Sequence, residues 1–167
     1  MKAITKRIPA LAFLCIVLFI LAPIGSFPFP NEPDGFGGIK WGSELSGLKG
    51  MVFLKTEIGY YGSIEFFKKT GEGLKAGDAP LESVEYGFWK GKLANVALHT
   101  RGLENWNALK KYSFDAFGPG YLTSKTAERF VWRGEVTILI LRYEEGSKKG
   151  LLHMCSREVF RLQKECE

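Results

Sequence analysis

Two histidines and three cysteines are all that this 167-residue chain offers toward metal or thiol chemistry. No Cys-x-x-Cys occurs, and His99 and His153 are far too distant for a His-x-x-x-His. Metal sites built from such ligands need close pairs, so no metal and no other cofactor is expected. Excess charge is also scarce. The net charge is +5, but three of the 23 basic residues fall in the first 26 positions, where no acidic residue stands. The remainder carries 20 basic against 18 acidic residues. A chain without a dense basic patch lacks the electrostatic footprint of a nucleic-acid binder.

Glycine is plentiful, yet the phosphate-binding patterns are absent. In "DGFGGIKWGSELSGL", residues 34–48, Gly35, Gly37 and Gly38 lack the third glycine of a dinucleotide fingerprint, and a proline-rich segment replaces the preceding strand. Lys40 is followed by Trp41, so the Gly-Lys-[Ser/Thr] of a P-loop is missing. The glycines read as a tight entry into the fold. Ser46-Gly-Leu-Lys49 and Lys69-Thr70-Gly71 match two signatures of penicillin-recognising serine enzymes. The Ser-Asp-Asn element is absent, and the two matches lie too close together for that two-part fold.

What is present first is an address. Lys2, Lys6 and Arg7 precede the apolar run of residues 8–25, which reads as a secretory signal. Pro23, Gly25 and Ser26 suit a peptidase, with cleavage expected after Ser26. The alternative is an uncleaved membrane anchor, although the run is short for a span. Cys15 lies in the middle of the run, where a lipoprotein cysteine does not sit. Residues 27–36 form a proline-rich, mobile linker, and 37–167 form one domain. Cys155 and Cys166 remain as an even pair in an oxidising compartment, so a Cys155–Cys166 disulfide is expected, with a reactive Cys155 thiol as the alternative.

Within the domain, Ser43 caps a short helix through Leu45, Leu48 and Met51. From residue 52 the stretches "MVFLKTEIGYYG" and "SIEFFKK", rich in aromatic and β-branched residues, read as strands. "ESVEYGFWKGKLANVALHT" is a hairpin whose shared apolar face requires a three-residue loop, Lys90 to Lys92, pairing Phe88 with Ala94, Tyr86 with Val96 and Val84 with Leu98. Trp106, Leu109, Ser113, Ala116 and Phe117 share a helix face, stopped at Gly118-Pro119-Gly120. "RFVWRGEVTILILRYEEG" is a second hairpin whose return strand, apolar on both faces, is central. A last strand, "GLLHMC", precedes a helix capped by Ser156. The two Trp-[Lys/Arg]-Gly hairpins hint at a duplicated helix-plus-hairpin unit.

The set "GIKWG", "YGFWKGKL", "HTRGLENWNAL", "FGPG" and "FVWRGEVTILILRY" resembles a group of small secreted proteins of unknown function from Gram-negative bacteria. It spans most of residues 36–156. The resemblance implies an envelope location and a compact α+β domain, and no activity.

The fold expected is α+β: an antiparallel sheet of about six strands with two or three helices packed mainly on one face. The function expected is a non-enzymatic binding module, periplasmic or secreted, with an envelope protein or cell-wall component as partner. Its candidate binding aromatics are Trp41, Tyr60, Tyr61 and Trp89, flat surfaces near turns. The rival is a thiol enzyme or small hydrolase using Cys155 with His153 or His99, since His153 and Cys155 share a strand face. A third reading is a structural protein anchored by residues 1–26. Glu57, Glu65, Glu82 and Glu85 read as a solvated sheet face.

Overall fold

The computed structural model describes residues 28–59, 62–124 and 128–165. The signal or anchor, Tyr60, Tyr61 and Cys166 lie outside the described residues. One short ladder comes first, β1 (Gly35–Phe36) with β2 (Ile39–Lys40). Then come β3 (Met51–Gly59) and β4 (Gly62–Lys69), a small β5 (Lys75–Ala76) and β6 (Ala79–Pro80), and β7 (Ser83–Trp89) with β8 (Lys92–Arg101). Helix α1 (Leu103–Phe117) leads to β9 (Tyr121–Ser124), β10 (Arg129–Arg133), β11 (Thr137–Glu144) and β12 (Lys149–Ser156), and α2 (Arg157–Glu165) follows.

This corrects the expected α+β class. The protein is mostly β: one eight-stranded sheet in the order β3-β4-β7-β8-β12-β11-β10-β9, antiparallel throughout, with only two helices among the described residues. The helices also occupy opposite faces. α1 buries Trp106, Leu109, Ser113 and Phe117 in the main core, and α2 buries Val159 against Trp89 and Ala94 on the second face. The missed strand, β9, is four residues long and almost wholly exposed, so no alternation marks it. The helix expected after Ser43 is one 3-10 turn, Leu45–Gly47, with no side-chain cap. Gly47 ends it and Gly50 follows, and glycine carries the largest backbone entropy cost of helix formation.

The sheet order is symmetrical about the β8–β12 seam. Two four-stranded meanders meet by their last strands, each preceded by a helical segment. The hairpin tips differ. The first turns in two residues, Lys90 and Gly91, both at positive φ, with Trp89 opposite Lys92 and Phe88 opposite Leu93. The three-residue loop is therefore overturned. A bulge after Leu93 then shifts the register, so Tyr86 faces Val96 and Val84 faces Leu98, as the shared apolar face demands. All of these are fully or nearly fully buried.

The core lies between this face and α1: Tyr86, Phe88, Leu93, Val96, Leu98, Leu139, Leu141, Leu152 and Met154 from the sheet against Trp106 and Leu109. Trp106 stacks on Tyr143 at 5.2 Å. Gly150 is obligatory beneath them, since a Cβ there would stand 2.4 Å from Thr100 Oγ1 and 2.8 Å from the Trp106 ring. The segment read as a mobile linker is tethered. Phe29 meets Phe117 edge-on, Asn31 donates to Ala116 O, and the Glu32 carboxylate accepts from the backbone N–H groups of Glu135, Val136 and Thr137 at 3.0, 2.7 and 2.7 Å. At the other end, Ser156 Oγ accepts from Val159 N–H, the expected cap.

Candidate functional site

The sequence offered two sites, a Cys–His pair and a set of flat aromatics. Strand alternation does bring the first together. His153 and Cys155 lie on the second face of β12, opposite Ala97 and Asn95 of β8, and His99 of β8 lies diagonal to His153. Glu85 sits beyond, on β7. Its side chain is largely buried, 3.1 Å from Lys55 Nζ and 3.7 Å from His99 Nε2. Lys55 also pairs with Glu57 at 2.8 Å and lies over the Phe66 ring. Glu85 is thus no solvated carboxylate, and the alternation read from sequence missed its burial.

The geometry suits no nucleophile. Cys155 Sγ stands 3.7 Å from both His153 ring nitrogens. The lone pair of one nitrogen and the N–H of the other point well apart, so a sulfur equidistant from both lies along neither. Burial pushes the Cys155 thiol up to about 12. Burial, followed by the Arg142 and His99 charges, pushes His153 down to about 4. An activated pair needs shifts in the opposite directions. Burial likewise lowers His99, against the opposing pull of Glu85. Its Nε2 is buried and makes no hydrogen bond, standing 3.7 Å from the Glu85 carboxylate. The open groove lined by His99, Leu103, Arg142 and Lys149 stops short of His153 and Cys155.

Cys155 carries a free thiol, so the expected bridge is not found. Its intended partner, Cys166, is outside the described residues. Among the described residues no group of three His, Cys, Asp or Glu could hold a metal ion.

The tryptophans near the turns are tied into the fold. The Trp41 indole N–H donates to Thr137 Oγ1 at 2.7 Å and its ring packs on the core. Trp89 is buried under α2, with Ala94 and Val159. Trp132 donates to Gly118 O from inside the core. Trp89 and Trp132 are thus buried in the fold, while Trp41 is half-buried with its N–H committed.

What the sequence did not single out is β3. It is an edge of the sheet, with β4 as its one neighbour. Val52, Phe53 and Leu54 are exposed, and Ile58 is 91% exposed. Phe53 stacks edge-on with Phe67 and Phe67 with Phe88, so an aromatic row runs from the core to this rim. The run Val52-Phe53-Leu54 was a visible signal, but its exposure depends on strand order, which no local pattern carries. No known family, curated protein or solved structure matches the chain.

Proposed function

We propose that this chain is an exported, non-enzymatic interaction module of the bacterial envelope, periplasmic or secreted, which binds a protein by strand addition at β3. The observation that carries this reading is the exposed apolar edge: a nine-residue outer strand with Val52, Phe53, Leu54 and Ile58 facing solvent. An outer strand presents unpaired backbone donors and acceptors, and an added strand satisfies them while its side chains cover the exposed ones. That chemistry favours a protein partner over a cell-wall sugar, which would need free aromatic faces. The n-region and apolar run of residues 1–26 support export, and so does the resemblance to small secreted proteins of Gram-negative bacteria. The thiol-enzyme reading has against it a sulfur off both imidazole axes and a thiol held protonated.

The test uses the full chain in its native host with a photocrosslinking side chain at Ile58 or, as control, at Lys111, exposed on α1. Protein adducts from Ile58 alone are expected in the envelope fraction. No adduct from Ile58, or the same adducts from both positions, overturns the reading. The intact mass of the unlabelled protein reads processing: loss of residues 1–26 fits a mature exported protein, and a full-length mass fits the anchored form.

A further inference from the structure

β3 has a sequence that complements itself. Around Thr56 it reads Leu54-Lys55-Thr56-Glu57-Ile58. When two copies of β3 run antiparallel about a two-fold axis at Thr56, Lys55 of each copy stands opposite Glu57 of the other. Thr56 meets Thr56, and the flanks carry Leu54 toward Ile58. Directly opposed residues share a face, and opposite charges there favour pairing while like charges oppose it. Moving the axis by one residue sets Lys55 against Lys55 in one direction and Glu57 against Glu57 in the other. The charges therefore select one register.

We infer that β3 is a homodimerisation edge, the two copies joining their sheets by antiparallel pairing centred on Thr56. This rests on the strand-addition reading above and names the partner as a second copy of the chain. A two-fold interface is self-complementary by construction, so a strand that pairs its own charges across the axis meets its requirement. Lys55 does not blunt the edge as a lone outward lysine would. It is drawn onto the second face by Glu57 and Glu85 and lies 5.0 Å from the Phe66 ring centroid. The exposed apolar residues at the rim are Val52, Phe53, Leu54 and Ile58, which a second strand would cover. An interface made by one strand from each copy is at the small end of stable interfaces, so dimerisation in the micromolar range is expected.

The test is sedimentation of the chain expressed from residue 1 and purified as the cell leaves it, for wild type, Lys55→Glu, Glu57→Lys and an equal mixture of the two variants. K55E opposes glutamates across the axis and E57K opposes lysines. Each variant alone should dimerise at least about tenfold more weakly. The mixture should recover the dimer, because K55E supplies two glutamates where E57K supplies two lysines. That recovery also shows that both variants are folded. A wild type that stays monomeric at about 1 mM overturns the inference. So does a dimer indifferent to both substitutions. If the wild type is monomeric while Ile58 still crosslinks to another protein, strand addition at β3 stands and only the second copy falls.

Discussion

Acidification should destabilise this protein by charging His153. The ring lies on the second sheet face against Cys155, with Arg142 and His99 adding to the penalty on its charged form and Glu57 opposing it. Burial is the largest cause and holds the folded-state value at about 4 against 6.5 for the free side chain. With the folded value lowered, the unfolded chain binds the proton first. Stability is whole above about pH 6.5 and falls as the pH drops toward 4, below which both states are protonated. The gap is worth about 3 kcal/mol, most of it gone by pH 4.5. That is a large share of the roughly 5–15 kcal/mol that stabilises a typical domain. Urea unfolding between pH 7.5 and 4.5 reads it as a midpoint falling by about 1–2 M. His153→Gln should remove most of the slope, leaving the smaller contribution of His99, whose value is also lowered by burial. Glu128, held down by Lys110 and Trp106, loses its contribution only as the pH falls through the ordinary carboxylate range, at the foot of this window and below it. Equal slopes for wild type and H153Q would refute the reasoning and place His153 in water.

Cys155 should resist maleimide at pH 8 in the folded protein and label once urea is added without reductant, read on its own peptide by mass spectrometry. Rapid labelling of the native protein would contradict a half-buried thiol held protonated, and labelling only after reduction would restore the Cys155–Cys166 bridge. Glu32→Ala should cost about 1–2 kcal/mol, a few degrees in melting temperature, because three backbone N–H groups lose a charged acceptor at a partly solvated turn. An unchanged melting temperature would mean that the segment is not held there.

The hairpin and helix faces were legible because burial writes itself as a period. Trp106, Leu109, Ser113 and Phe117 recur at helical spacing and are buried. The pairing of Tyr86 with Val96 followed from keeping apolar residues on one face. The loop that delivers that pairing did not, since a tight turn with a bulge yields the same face as a longer loop. Sheet size failed for a related reason. Tyr121-Leu122-Thr123-Ser124 buries almost nothing, so β9 leaves no pattern. Glu32 was invisible because its partners lie more than a hundred residues away. The Cys–His spacing was read correctly as a shared face, but whether such a face activates or silences a thiol depends on what packs over it. The exposed edge was equally hidden. Residues 52–58 read as a strand, but their place at the rim follows from β8 pairing with β12 and from the meander that sends β9 to the far side.

The two rims of the sheet are unequal, and the inequality bears on function. β9 is four residues long, too short to template much pairing, which is a common way of protecting an edge. β3 is nine residues long. Its Lys55 and Glu57 cancel within the strand, so they put no net charge on the rim to repel another chain. The bulge between Phe53 and Lys55 breaks the ladder toward β4 near one end and leaves Lys55 to Ile58 regular. A strand protected against association would carry uncompensated charge in that regular stretch. Here the stretch carries one charge of each sign, placed symmetrically about a threonine, with an almost fully exposed isoleucine at its end. With a second copy paired on β3, a sheet whose other rim is this short would close into a pair of molecules, where two long open rims would yield a chain of them.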